Sequence, residues 1–333
     1  MSIGKLINDY SSKYSPYMGS LVNHLPMGQL ALYKITGDLE KVSIYSQEYL
    51  ERGSINTVKV DYPKNKSLRE CLGKRDLYES CLDIIKAKAE KEGIHNLAKE
   101  ILNNYILGMS SGLFHALIRV AYGVEGCQID KELTQELERA LAYYITAYRE
   151  GDLFTRKIPS SQIIDEMKTL SNNEHIRKLI LSKDTLGQRM KSLYSDDEYL
   201  KLGFIIEGSV EDKIRALLKL LVPLYDDSGN IVVLHCITGL HALVVLQEYY
   251  DDFSKALDIF TTLVITHLLT IDSLEYDHIL EDKTELSWRC ILAKGAESTD
   301  VHAIKLAYSS YELDKMYDFP ELKDSALKRI RHM

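Results

Sequence analysis

Asp130-Lys-Glu-Leu-Thr-Gln-Glu-Leu-Glu-Arg-Ala-Leu-Ala-Tyr-Tyr-Ile-Thr-Ala-Tyr-Arg149 is the stretch on which the fold class turns. Leu133, Leu137, Leu141 and Tyr144 recur at three- and four-residue spacing, which places them on one stripe of a helix. Asp130 stands where an N-cap belongs, and Gly151 ends the pattern. The same grammar extends in both directions. Residues 21–36 carry helical spacing closed by Gly37; Asp38 opens a second helix to Leu50, closed by Gly53. These two form an αα-hairpin. Residues 54–66 break the pattern with an alternating Thr57-Val-Lys-Val-Asp and Pro63, and read as a loop. Helices are expected over 67–91, 95–109 and 113–124, with Gly93 and Ser110-Ser-Gly as the breaks. Beyond the decisive stretch, 152–208 is polar and aperiodic. Helices are then expected over 210–221, 231–250, 253–269, 285–294, 300–316 and 321–331. No period of 30–45 residues runs through the chain, so tetratricopeptide, HEAT and ankyrin arrays are excluded. The expected fold is all-α. It is a compact multi-helix domain of packed αα-hairpins around a central cavity, one domain over 1–333. Its halves would be 1–151 and 209–333, with 152–208 as a connector or lid.

Composition narrows the function. A net charge of −8 on 333 residues, with no clustered basic face, argues against a nucleic-acid binder. The most apolar stretch, 231–246, holds His235 and His241 and is too short to span a bilayer comfortably. The N-terminus shows no signal-peptide pattern. Cys71, Cys81, Cys127, Cys236 and Cys290 are odd in number and lack CxxC spacing, so they form neither a disulfide framework nor a thiolate zinc site. A reducing cytoplasm is the expected location, with Cys236 buried and unreactive in an apolar helix. Twenty-two tyrosines against one tryptophan suit half-buried helix faces, or an aromatic pocket.

Familiar chemical motifs are missing. There is no GxGxxG, phosphate-binding loop, GxSxG or HExxH, hence no flavin or Rossmann signature. Histidine is the informative residue. His115 lies in an apolar run, with Arg119 four and Tyr122 seven residues on, all on one helical stripe. Burial and a neighbouring guanidinium would both hold that imidazole neutral, the form that ligates metals or acts as a base. His235 and His241 are six apart, about 240° around a helix, so their rings diverge. His302 and Lys305 share one face after Asp300, a helix cap. His24 sits at the mouth of the first strong helix. His95, His175 and His332 lie in polar surroundings; His267 and His278 stay undecided. Glu92-Gly-Ile-His95 and Glu275-Tyr-Asp-His278 match di-iron spacing only formally, since one straddles a glycine and the other is acidic and polar.

Four motifs, in order, carry a resemblance. They are Asn23-His-Leu-Pro-Met-Gly-Gln-Leu-Ala-Leu-Tyr33; Gly112-Leu-Phe-His-Ala-Leu-Ile-Arg-Val-Ala-Tyr-Gly-Val-Glu125, followed by Ala140-Leu-Ala-Tyr143; Leu234-His-Cys-Ile-Thr-Gly-Leu-His-Ala-Leu243; and, after Trp288, Asp300-Val-His-Ala-Ile-Lys305. Together they resemble the questin oxidase-like family. That resemblance implies oxidative cleavage of hydrophobic aromatic polyketides. Some members are Baeyer–Villiger-type oxidases using NADPH. Others look like non-haem iron oxygenases with histidine ligands and a modified lysine. Carried over by motif, it implies His24, His115, His235, His302 and Lys305 as metal ligands, with Lys294 as the other candidate lysine. Fe(II) would be the metal and NADPH a reductant. On the shared helical stripe, His115, Arg119 and Tyr122 are the expected catalytic residues. A carboxylated lysine would supply an oxygen ligand to a site poor in Asp and Glu. Without metal, a buried histidine could deprotonate a phenol.

Three functions remain open on the sequence: an oxidoreductase, a carrier for a hydrophobic small molecule, and a helical scaffold. An enzyme needs at least three of the named histidines around one void, a carrier needs only the void, and a scaffold needs neither.

Overall fold

The computed structural model describes residues 1–19, 21–272, 274–276 and 284–331. Helix α1 (Ile3–Ser11) starts at Ser2, whose hydroxyl accepts from the Lys5 N–H. A two-residue hairpin follows, β1 (Tyr17–Met18) antiparallel to β2 (Leu21–Val22). Next come α2 (Leu25–Thr36), closed by Gly37 at φ +65°, and α3 (Leu39–Arg52), capped by Asp38. The helix expected from residue 21 therefore begins at Leu25. Leu21 and Val22 pair as a strand, and the Asn23 side chain accepts from the Leu25 N–H. The helix expected over 67–91 is broken by Gly73 at φ +70° into α4 (Leu68–Cys71) and α5 (Tyr78–Glu92). Helix α6 (Ile94–Asn104) precedes α7 (His115–Ile129) and α8 (Thr134–Ala147).

The polar region 152–208 holds α9 (Ile163–Asn172), α10 (Glu174–Leu181), α11 (Leu186–Tyr194) and α12 (Asp197–Leu202). They lie between β3 (Arg156–Ile158) and β4 (Phe204–Ile206). Those two strands pair in parallel, so this region closes on itself. Helix α13 (Val210–Ser228) has a Ser209–Asp212 capping box and continues through Pro223, past the expected end at 221. The remaining helices are α14 (Ile231–Val245), α15 (Phe253–Leu269), α16 (Trp288–Ala296), α17 (Val301–Tyr317) and α18 (Leu322–Arg331).

The fold is all-α with small sheet additions. Helix α7 packs on α8 and α14, α17 packs on α2 and α14, and α2 touches α7. These four helices, α2, α7, α14 and α17, form the middle of the molecule. One apolar cluster runs through it from Ile3 to Leu322, and a smaller one joins Ile291, Ala307, Ala326 and Leu327. All five cysteines are free; burial pushes the Cys236 thiol up. No helix among the described residues is long and apolar enough to cross a membrane.

Candidate metal centre

Each of the four middle helices presents one histidine at or near its first turn. His24 is the N-cap of α2, with its N–H donated to the Tyr49 hydroxyl at 3.0 Å. His115 is the first residue of α7. The two residues before it, Leu113 and Phe114, hold left-handed backbone at φ 59° and 62°. Side chains other than glycine avoid that region, and such strain gathers at functional sites. The turn aims the His115 ring and buries Phe114 against Phe260 and His267. Gly112 at φ +61° permits it, since a Cβ there would meet the Tyr143 hydroxyl at 2.7 Å. His235 lies on the first turns of α14, and His302 is the second residue of α17.

The imidazoles converge. His115 Nε2 is 2.5 Å from His24 Nε2 and 3.0 Å from His235 Nε2. The His302 ring centroid lies 4.8 Å from that of His24 and 5.2 Å from that of His235. One ligand atom from each of the four falls within 4.8 Å of every other. Residues from positions 24 to 302 thus meet at one point.

Hydrogen bonding fixes the tautomers. His24 faces the Val22 carbonyl with Nδ1 at 2.7 Å, His115 the Gly112 carbonyl, and His235 the Ile231 carbonyl at 2.7 Å. His302 Nδ1 faces Asp300 Oδ1 at 3.2 Å. Carbonyl and carboxylate oxygens only accept, so each imidazole donates its Nδ1–H and keeps its Nε2 lone pair free. Nε2 atoms at 2.5 and 3.0 Å therefore set lone pair against lone pair. A cation between those nitrogens would remove that repulsion. Two nitrogens bound side by side at about 2.0–2.1 Å from a metal sit roughly 3 Å apart, and imidazole suits Fe, Zn, Cu and Ni. The donor set fits a metal ion.

Electrostatics agree with neutral rings. Burial comes first in holding His24, His115 and His235 well below the usual imidazole range, with Lys305 and neighbouring rings adding to it. His302 is lowered by burial and Lys305, while Asp300 acts in the opposite direction. Lys305 is fully buried one turn after His302, with no hydrogen-bond partner for Nζ among the described residues. Burial lowers its pKa to about 7. Lys294, the other candidate lysine, is exposed.

The stripe His115, Arg119, Tyr122 does not arrive at one place. Arg119 turns to α8 and donates Nε and Nη2 to Glu136 Oε1 at 2.9 and 2.7 Å. Tyr122 packs 6.1 Å from Tyr308. Burial is the first cause that lowers the His115 imidazole, and the groups that add to it are His24, His235 and Lys305, not Arg119. His241 lies edge-on to Tyr308, and His267 donates Nδ1–H to the Leu263 carbonyl; both are buried and outside the cluster. His95 is exposed beside the Tyr249 hydroxyl, and His175 pairs with Asp196. His278 and His332 lie outside the described residues. Gly93 at φ +82° separates Glu92 from His95, which removes that Glu-x-x-His pairing.

Asp300 holds more than the cap read from sequence. It also faces the His302 ring and is gripped by Arg329. Asp-x-His across a helix start was a visible signal for the first contact; nothing local marks Arg329.

A family model described as questin oxidase-like matches residues 21–310. The chain belongs to the questin oxidase-like family. The match begins before α2 and ends within α17, so it contains all four clustered histidines and Lys305. Membership points to oxidoreductase chemistry. No curated protein matches the chain.

Proposed function

We propose that this questin oxidase-like protein is a metal-dependent oxidoreductase, using Fe(II) on a hydrophobic, aromatic, polyketide-like phenol. The observation that carries this reading is the meeting of four imidazoles, one ring nitrogen of each within 4.8 Å of the others, while every Nδ1 faces a carbonyl or carboxylate oxygen. In the proposed site His24, His115, His235 and His302 hold the metal. Lys305 stands beside them with a buried, unpartnered Nζ. Once carboxylated, it would bring an oxygen donor that the cluster otherwise lacks, since no Asp or Glu belongs to the group of four. A bound Fe(II) would supply a redox centre able to react with dioxygen beside the bound phenol. The chain's own contribution is to orient the ligands, hold their protons on Nδ1 and exclude water with the packed helices around them.

The test is oxygen consumption with hydroxylated anthraquinones, each run with and without NADPH. Turnover should disappear on chelation and return with Fe(II). Turnover that survives exhaustive chelation would overturn the metal reading, and dependence on NADPH would place the protein with the Baeyer–Villiger-type members.

A further inference from the structure

Three of the four imidazoles turn Nδ1 to a main-chain carbonyl of their own segment. His302 is different, because its Nδ1 faces a carboxylate. Asp300 Oδ1 is 3.2 Å from that ring and also accepts the His302 backbone N–H at 2.9 Å. Its other oxygen is taken from outside: Arg329 Nε and Nη2 both lie 2.7 Å from Asp300 Oδ2.

We infer that Asp300 and Arg329 form a positioning pair that sets the orientation and donor strength of His302. This rests on the reading of the four histidines as a metal site. A carboxylate sharing the Nδ1 proton makes Nε2 a stronger donor than a carbonyl does. It also locks the ring plane. The guanidinium fork binds one carboxylate oxygen, so the other stays aimed at His302.

Arg329 lies beyond the residues matched by the family model, 21–310. It is delivered by α18, which is anchored independently of the site. Leu322, Ala326 and Leu327 are buried, the Ser325 hydroxyl donates to Asp226 Oδ1 at 2.5 Å, and Lys328 donates to the Asp227 carbonyl at 2.9 Å. From the other side Arg52 donates to the Thr299 carbonyl at 3.0 Å. The turn before α17 is thereby gripped by two guanidinium groups. The C-terminal helix acts as a brace on one ligand of the centre.

The experiment is Co(II) titration of the full-length, metal-free chain, read by ligand-field absorption and by competition with a chromophoric chelator. Asp300→Asn keeps a capping side chain but removes the charge. Asp300→Asn and Arg329→Gln should each weaken Co(II) binding by about 10–100-fold and shift the absorption bands. Arg329→Lys keeps charge without the fork, and should fall between wild type and Arg329→Gln. The double variant should bind no more weakly than Asp300→Asn, because Arg329 acts through Asp300. A merely structural pair would lower the melting temperature and leave affinity and spectrum unchanged; that result overturns the inference. Should Arg329→Gln fail to fold, Arg329→Lys decides alone, and wild-type affinity and spectrum there overturn the inference. A wild-type chain that takes up no Co(II) sinks both this inference and the metal reading beneath it.

Discussion

A single proton on each imidazole decides what the cluster can do. With Nδ1–H committed to Val22, Gly112, Ile231 and Asp300, the four rings have only Nε2 left to offer. Replacing His115 by Ala should therefore abolish metal binding while the protein still folds, at roughly 2–4 kcal/mol. Metal analysis beside a thermal melt checks this; wild-type metal content with a lower melting temperature would make His115 a packing residue. Arg119 predicts the opposite pattern. It is buried against Glu136, with Arg139 Nη1 also 3.7 Å from that carboxylate. Glu136→Ala leaves a buried guanidinium uncompensated and should cost about 3–5 kcal/mol. Denaturant titration should show that loss with metal stoichiometry unchanged. Sequence made His115, Arg119 and Tyr122 look like one group because helical spacing reports a shared face. It does not report the partner that each side chain meets across the interface, and Glu136 on α8 captures Arg119.

Helix starts are the elements that build the site, since His24, His115, His235 and His302 all lie at or close to one. Their spacing and caps were legible: α15 runs over the expected 253–269, and Asp300 caps α17. The left-handed pair before α7 was not, because Leu113 and Phe114 carry no turn signal and are held there by tertiary packing. The β2 pairing was hidden in the same way, since Leu21 and Val22 suit a helix as well as a strand. The α13–α18 contact gives a pH prediction. Burial raises the Asp226 carboxyl to about 7 from 3.8, with Asp324 acting in the same direction and Ser325 and Lys328 opposing. The folded chain holds this proton more tightly than the unfolded one. Asp226 thus contributes its full stability below pH 3.8 and loses it as pH rises through 7. Asp226→Asn should raise the melting temperature at pH 8 and leave it nearly unchanged near pH 4. An unchanged melting temperature at pH 8 would mean that the charge there costs nothing.

Across the whole molecule, the centre ties together helices that span most of the chain, and one apolar cluster connects them. We propose that the described halves unfold as one unit, with 152–208 joining rather than separating them; two well-separated transitions in a thermal melt would contradict this. A metal bound at this centre would add to the stability of all four central helices at once. At a hundredfold excess over its dissociation constant a ligand stabilises by about 2.7 kcal/mol, so chelation should lower the melting temperature by a margin that His115→Ala no longer shows. The family and its histidines could be read from sequence because their motifs are short and contiguous. The brace by Arg329 could not, since 29 residues separate it from Asp300 and only packing of α18 brings them together. The most direct measurement is the metal content of the chain purified without a histidine tag. About one iron per chain, absent from His115→Ala, is the result expected. A metal-free chain that also fails to take up Fe(II), Co(II) or Zn(II) in titration would contradict the account.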